Sequence, residues 1–235
     1  MSAKKSRPWQ GAAGATSDDD NTILAAAADK SRPAGAAAAH PPHSLLEQHE
    51  RLLEKSGIPL QFAREHGIRS ASAAEDLPQN LRWAAAHENA LPGLLITWRT
   101  VDGGVNYQLR PDKPPVIKGE PRKYLQPNNV RLLNVLGDPA QSDMLFLVEG
   151  SKQGYAAAAH APKGVLVVAI PGCRGWSHER KLLPELARLV QGRRVVCSLD
   201  ADVGSNVNVR TAATALIKAL KDAGASAVLY ARNRG

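Results

Sequence analysis

Leu145-Phe146-Leu147-Val148-Glu149-Gly150, an apolar run closed by an acid and a glycine, decides how this chain is read. A second run closes in the same manner at Ser198-Leu199-Asp200-Ala201-Asp202. Side chains two apart on a strand point to one face, so Asp200 and Asp202 can bind one ion together. If both runs are parallel strands of one sheet, Glu149 and the aspartate pair stand at carboxyl ends, where ligands bind in open α/β sheets. A single acid in such a place more often caps a helix or ends a strand. Glu149, Asp200 and Asp202 together favour a metal site, because hard cations such as Mg²⁺ take oxygen ligands and keep several waters.

Around these runs the sequence alternates: strand 145–149, helix 151–160, strand 165–170, helix 179–190, strand 194–199, helix 207–223, strand 226–231. Such a series predicts an α/β domain with a mainly parallel sheet flanked by helices and right-handed crossovers. Ser151 is expected as a simple cap. Lys152 falls in the first helical turn, where a cation opposes the macrodipole; either a phosphate bound beside Glu149 compensates it or the lysine faces solvent at small cost. Ser205 or Asn206 is expected to cap the last helix, with Val209, Ala213, Leu216, Ile217 and Leu220 as its apolar face and Gly224 at its end. Arg210 lies off that face and could reach a phosphate, an exposed arginine being the default reading. The loop from Pro171 to Arg180 mixes glycines, Arg174, Trp176 and His178, a combination that binds single-stranded nucleic acid. Trp176 is expected to pack on the following helix rather than to stack on a base, and His178 to lie at the surface.

Upstream, the pattern is less regular. Leu45, Leu46, His49, Leu52 and Leu53 fall at helical spacing, with Ser44 expected as N-cap and Glu47 closing a capping box. Gln61 to His66 predicts a second short helix before Gly67. Residues 93–110 predict a β-hairpin turning at Asp102-Gly103-Gly104. Pro111 to Pro121 reads as a Pro- and Lys-rich loop, and Arg122-Lys123-Tyr124-Leu125 as a short basic strand or edge. Residues 1–43 are dominated by Ala, Gly, Ser, Pro and Asp and are expected to form a disordered leader.

Composition sets limits. The 235 residues, 43% hydrophobic but only 4% aromatic, suffice for one substantial domain or two small ones with an aliphatic core. A formal net charge of +8 and a pI near 9.7 favour polyanionic partners and salt-sensitive binding. Cys173 and Cys197 fit reduced packing thiols better than a disulfide or a zinc cluster. No apolar run is long enough to cross a bilayer, and Met1-Ser2-Ala3-Lys4-Lys5 is followed by no secretory apolar segment, so the expected location is cytoplasmic without membrane partners.

Leu147-Val148-Glu149-Gly150 with Asp200-Ala201-Asp202 resembles the Toprim signature shared by bacterial-type primases, topoisomerases and some nucleases, over residues 143–232. Glu149-Gly150-Ser151-Lys152 and the segment from Asp200 to Gly224 look most like Toprim-like domains at the front of phage, plasmid and integrative-element primase-helicases. Those often carry a lysine where other Toprim proteins have an acid. Leu95-Ile96-Thr97-Trp98, Asp102-Gly103-Gly104-Val105, Leu109-Arg110 and Arg122-Lys123-Tyr124-Leu125 resemble the segment that precedes Toprim in bacterial primases.

After the leader over 1–43, the resemblance implies a small α+β primase-like subdomain over 44–140 and a Toprim-like domain over 141–235. It implies a DNA-replication protein of a mobile element, performing primase-like, Mg²⁺-dependent nucleotidyl transfer, with Mn²⁺ as the other candidate ion. Glu149, Asp200, Asp202 and Lys152 would form the catalytic set, the three acids holding the metal. Arg110, Arg122, Lys123 and Tyr124, with Arg174 and Arg210, would hold nucleic acid and phosphates. Implied partners are single-stranded DNA or RNA, nucleotides, and a replicative helicase or further domains of a longer replication protein. Neither a zinc-binding front domain nor a Gly-x-x-x-x-Gly-Lys-Ser/Thr phosphate loop is found. Two other readings therefore stand beside the first: a non-catalytic nucleic-acid-binding domain, and a metal-dependent nuclease.

Overall fold

A computed structural model describes residues 44–127, 133–172, 174–179, 181–199 and 207–231. The leader expected over 1–43, Cys173, Arg180, Asp200, Asp202, Ser205 and Asn206 lie outside the described residues, as does the side chain of Val209.

Two short helices open the described chain, α1 (Glu47–Lys55) and α2 (Leu60–Glu65). The expected capping box is not formed: Leu46 is the N-cap and no side chain caps the helix. Ser44 is drawn instead to the strand β1 (Arg69–Ala71), where its carbonyl accepts from Ser70 N–H at 3.1 Å. Leu46 N–H donates to Ser70 Oγ at 2.7 Å, so a tertiary partner replaces the local one. Buried His49 completes the fastening, its ring nitrogens 2.7 Å from Ser70 Oγ and 2.7 Å from Asp112 Oδ1.

The predicted hairpin is present as β2 (Gly93–Arg99) and β3 (Val105–Pro111), which extend β1 into a three-stranded antiparallel sheet of order β1-β2-β3. Its turn closes through Thr100 N–H donating to Gly104 C=O at 2.9 Å. From Gly93 to Trp98 β2 is buried on both faces. Leu94, Ile96 and Trp98 pack with Leu53, Ile58, Val148 and Tyr155, whereas Leu95 packs with Leu77, Leu81, Leu109 and Leu125. The segment read as a loop holds a small hairpin, β4 (Val116–Ile117) and β5 (Glu120–Pro121). Beyond it, Leu125 bridges Leu109 with two 2.8 Å backbone bonds, which ties the basic segment to the edge of β3.

The remaining elements are β6 (Asn134–Leu136), β7 (Met144–Glu149), α3 (Ser151–His160), β8 (Val165–Ile170), β9 (Ser177–His178), β10 (Lys181–Leu182), α4 (Pro184–Val190), β11 (Arg194–Ser198), α5 (Val207–Asp222) and β12 (Ala227–Tyr230). Five strands form one sheet in the order β12-β11-β7-β8-β6. β7, β8, β11 and β12 run parallel, and β6 joins antiparallel beside β8. The mainly parallel sheet is thus as predicted, while β6, upstream of residue 141, is an edge that the alternation did not announce. Three residues carry too little periodicity to be recognised.

Strand alternation sends successive side chains to opposite faces. Leu145, Leu147, Leu166, Val168, Ile170, Val195 and Cys197 meet Leu186, Leu189 and Val190 of α4 and Ala213, Leu216 and Leu220 of α5. Val148, Val167 and Ala169 face Tyr155 of α3 and the upstream core. Each fully buried aliphatic side chain contributes on the order of 1.5–3 kcal/mol, and the second set makes the hairpin sheet and the parallel sheet share one core. Burial pushes the Cys197 thiol up to about 12, which agrees with the expected packing role. Among the described residues no helix is long and apolar enough to cross a membrane.

One expected helix is shorter than its sequence suggested. Ser177–His178 and Lys181–Leu182 pair as the β9–β10 ribbon, with Glu179 at a positive φ of 49°, and α4 begins only at Pro184. Proline fits the first helical position because its missing N–H would be unpaired there anyway. Trp176 is buried against Leu183 and Leu186 as expected. At the other end, Gly224 closes α5 at φ 89°, its N–H donating to Lys221 C=O and that of Ala225 to Leu220 C=O.

Helix α3 lies very close to β8. A side-chain carbon at Gly154 would stand 2.7 Å from Ala169 Cβ, closer than carbons pack. Gly154→Val is therefore expected to lose about 2–3 kcal/mol of unfolding free energy through overpacking, read as a lower urea midpoint with an unchanged m-value.

Candidate functional site

Two sets of elements meet around an open cleft of about 640 Å³. One wall is the carboxyl end of β7 with the start of α3: Glu149, Gly150, Ser151 and Gln153, joined by Pro171 and Gly172 after β8. The other comes from the hairpin sheet and its basic appendage: Trp98, Gln108, Trp83, Ile117, Lys118 and the run from Arg122 to Gln126. The acid that ends the deciding stretch and the basic segment read upstream thus face the same space.

Local chemistry explains the first wall. Gly150 turns the chain from strand to helix at φ 86°, a left-handed conformation that costs glycine little. It serves as the N-cap of α3, donating its N–H to Ile170 C=O at 2.8 Å and accepting from Gly154 N–H at 3.1 Å. Ser151 is not the cap: it is buried, and its hydroxyl donates to Gln108 Oε1 at 2.9 Å. That bond docks β3 against the first turn of α3. Tyr155, one turn further, donates to Thr97 C=O at 2.8 Å, and burial holds its phenol up to about 12. A side-chain carbon at Gly172 would stand 4.0 Å from Glu149 Oε1, an ordinary contact distance, so the turn after β8 lies beside the carboxylate.

In the register of the parallel sheet Ser198 of β11 pairs with Val148 of β7, so the two strands end at one level. Asp200 and Asp202 follow two and four residues later in sequence, outside the described residues. The chemistry of the donor set, Glu149 with those two aspartates, fits a hard oxygen-loving cation.

Of the basic candidates, Arg122, Lys123 and Tyr124 line the cleft. Arg122 also pairs with Glu120 at 3.0 Å, an exposed bridge of little net worth. Arg110 lies two residues from Gln108 on β3, and its Nε is buried with no hydrogen-bond partner among the described residues. Arg174 and Arg210 are exposed and do not line this cleft. Lys152 turns toward α1, its ammonium donating to Ser56 Oγ at 2.9 Å. Burial holds its pKa below the usual lysine value, with the charges of Arg110, Lys123 and Lys55 acting in the same direction.

Trp83, Trp98, Gln108 and Lys118 line the cleft without having been singled out in the sequence. Lys118 had a legible signal, since Ile117-Lys118-Gly119-Glu120 can turn a hairpin and expose its lysine. Gln108 alternates with Arg110 and shares its strand face. The two tryptophans gave no such sign, because an indole beside a cleft and an indole in a core look alike in sequence.

Residues 140–233 match a family described as a domain of unknown function (DUF3854). No match is found among curated proteins. Among solved structures, the zinc-binding and RNA polymerase domains of the primase from Aquifex aeolicus share 15% sequence identity with this chain at a TM-score of 0.54, covering 81% of this chain and 51% of that one. The chain therefore has a primase-like fold, and spans about half the length of that structure.

Proposed function

We propose that this chain is a primase-like nucleotidyl-transfer module of a mobile element's replication protein, acting on single-stranded nucleic acid with nucleotides and Mg²⁺ or Mn²⁺. The observation that carries this reading is the cleft itself, where Glu149 and the cations Lys118, Arg122 and Lys123 share one space. An acid beside several cations suits a substrate rich in phosphate, and the primase-like fold agrees with that class of substrate. Glu149, Asp200 and Asp202 would hold the metal, which when bound offsets the negative charge that builds on the transferring phosphoryl group. Lys118, Arg122 and Lys123 hold the remaining phosphates by charge, and Tyr124 offers a ring on which a base can stack. Glu149 would take the proton from the attacking 3′-hydroxyl or help to hold the ion, and pyrophosphate would be the leaving group. A helicase motor would come from another part of a longer protein or from a separate partner.

The test is synthesis of labelled primers on single-stranded DNA with nucleotides and Mg²⁺. The proposal expects products that chelation abolishes. Degradation of labelled DNA in the absence of nucleotides would replace it with a nuclease, and salt-sensitive binding without turnover would replace it with a binding module.

A further inference from the structure

We propose that Gln108 selects the nucleobase held in the cleft, its amide donating to a base carbonyl, so that thymine, uracil, cytosine and guanine are preferred to adenine. Gln108 is only 5% exposed, yet it lines the cleft. Its Oε1 accepts from the Ser151 hydroxyl at 2.9 Å, and Ser151 is itself buried at the start of α3. That bond fixes which way the amide points, with the oxygen turned to α3 and the nitrogen away from it. Among the described residues the side chain makes no other hydrogen bond, and its nitrogen is not enclosed. An amide nitrogen carries two donors, and both are left for a ligand in the cleft.

Strand register supplies the ring beside it. Leu109 and Leu125 are bridged antiparallel and share one core. By strand alternation Gln108 and Tyr124 both project from the opposite face, as diagonal neighbours within reach of an aromatic side chain, and both line the cleft. A ring next to a donor-only amide suits a nucleobase: the ring takes the face of any base, and the amide reads an edge. A phosphate finds stronger, charged donors in Lys118, Arg122 and Lys123 of the same cleft. An uncharged amide whose oxygen is already engaged distinguishes neutral acceptors from neutral donors. Thymine, uracil, cytosine and guanine present a carbonyl oxygen, whereas adenine has none and carries an amino donor beside its N7. Ser151 acts through Gln108 as a positioning residue, since without its hydroxyl the amide could turn over and present its oxygen. The inference rests on the reading of the cleft as a nucleic-acid site. The base belongs either to the template strand or to an incoming nucleotide.

The full chain and its Gln108→Met and Ser151→Ala variants would be titrated with fluorescein-labelled oligo-dT, oligo-dC and oligo-dA of equal length by anisotropy, and with UTP and ATP by calorimetry. Each variant is compared with the wild type on the same ligand, so the intrinsic stiffness of oligo-dA cancels. Gln108→Met is expected to weaken oligo-dT and oligo-dC about fivefold, the size of one neutral hydrogen bond, and to leave oligo-dA unchanged. Ser151→Ala, a smaller change in packing, is expected to narrow the gap between oligo-dT and oligo-dA, and it decides the matter if Gln108→Met fails to fold. A selective loss confined to the strands assigns the base to the template, and one confined to UTP assigns it to the incoming nucleotide. Equal losses on all ligands, as from a structural tie or a sugar contact, overturn the inference, as does an unchanged preference in both variants. A wild-type chain that binds neither strands nor nucleotides ends the reading of the cleft as well. Base-selective loss in a protein that makes no primers keeps the inference and ends the primase reading. Primer synthesis with unaltered base preference in both variants does the reverse.

Discussion

Trp98→Ala is expected to lose about 3–5 kcal/mol of unfolding free energy, the range for deleting a fully enclosed aromatic side chain. Trp98 is 0% exposed and sits where the hairpin sheet meets Val148 of β7 and Tyr155 of α3. Its indole nitrogen is buried without a partner among the described residues, so what the residue supplies is packing. The same side chain lines the cleft, and the vacated volume would loosen the contact between the two walls. Urea denaturation followed by circular dichroism measures the loss. A fall of less than about 1 kcal/mol, the scale of an ordinary surface-to-interior average, would mean that the shared core is not what joins the two sheets.

The second large effect is expected on activity rather than stability. Glu149→Gln keeps the size and polarity of a half-buried residue at a strand end, so unfolding should shift by no more than about 0.5 kcal/mol. Primer synthesis should fall by about a hundredfold or more, the usual consequence of removing a group that moves a proton or grips the ion. Lowered stability with retained activity would place Glu149 in the architecture and remove it from the chemistry.

What could be read in the sequence was the part governed by neighbours along the chain. β8 and α3 have the boundaries their periodicity and flanking glycines predicted, and β2 and β3 lie within a residue of the predicted hairpin. The failures share a cause. Ser44 looked like a cap until Ser70, far along the chain, took its carbonyl. Residues 179–183 looked helical until pairing of Lys181 with His178 delayed α4 to Pro184. Ser151 looked like a cap until Gln108 took its hydroxyl.

The site divides in the same way. Glu149 and the basic run ending in Tyr124 were legible because strand ends and charge runs are local patterns. That Lys152 reaches Ser56, 96 residues earlier, was not. Only tertiary packing of α1 against the first turn of α3 brings them together. Arg174 and Arg210 show the converse: a basic residue in a loop or on a helix face carries no information on which cavity it serves.

Under the proposed function, nucleic acid is expected to lie in the cleft between the hairpin sheet and the end of β7. Photo-cross-linking of iodouracil-substituted single-stranded DNA to the full chain, with the adducts mapped by mass spectrometry, measures that placement directly. Adducts are expected on Tyr124 and Trp83, which line the cleft, with their loss in competition with unlabelled strand. Competable adducts confined to residues of α4 and α5, on the opposite face of the parallel sheet, would contradict it.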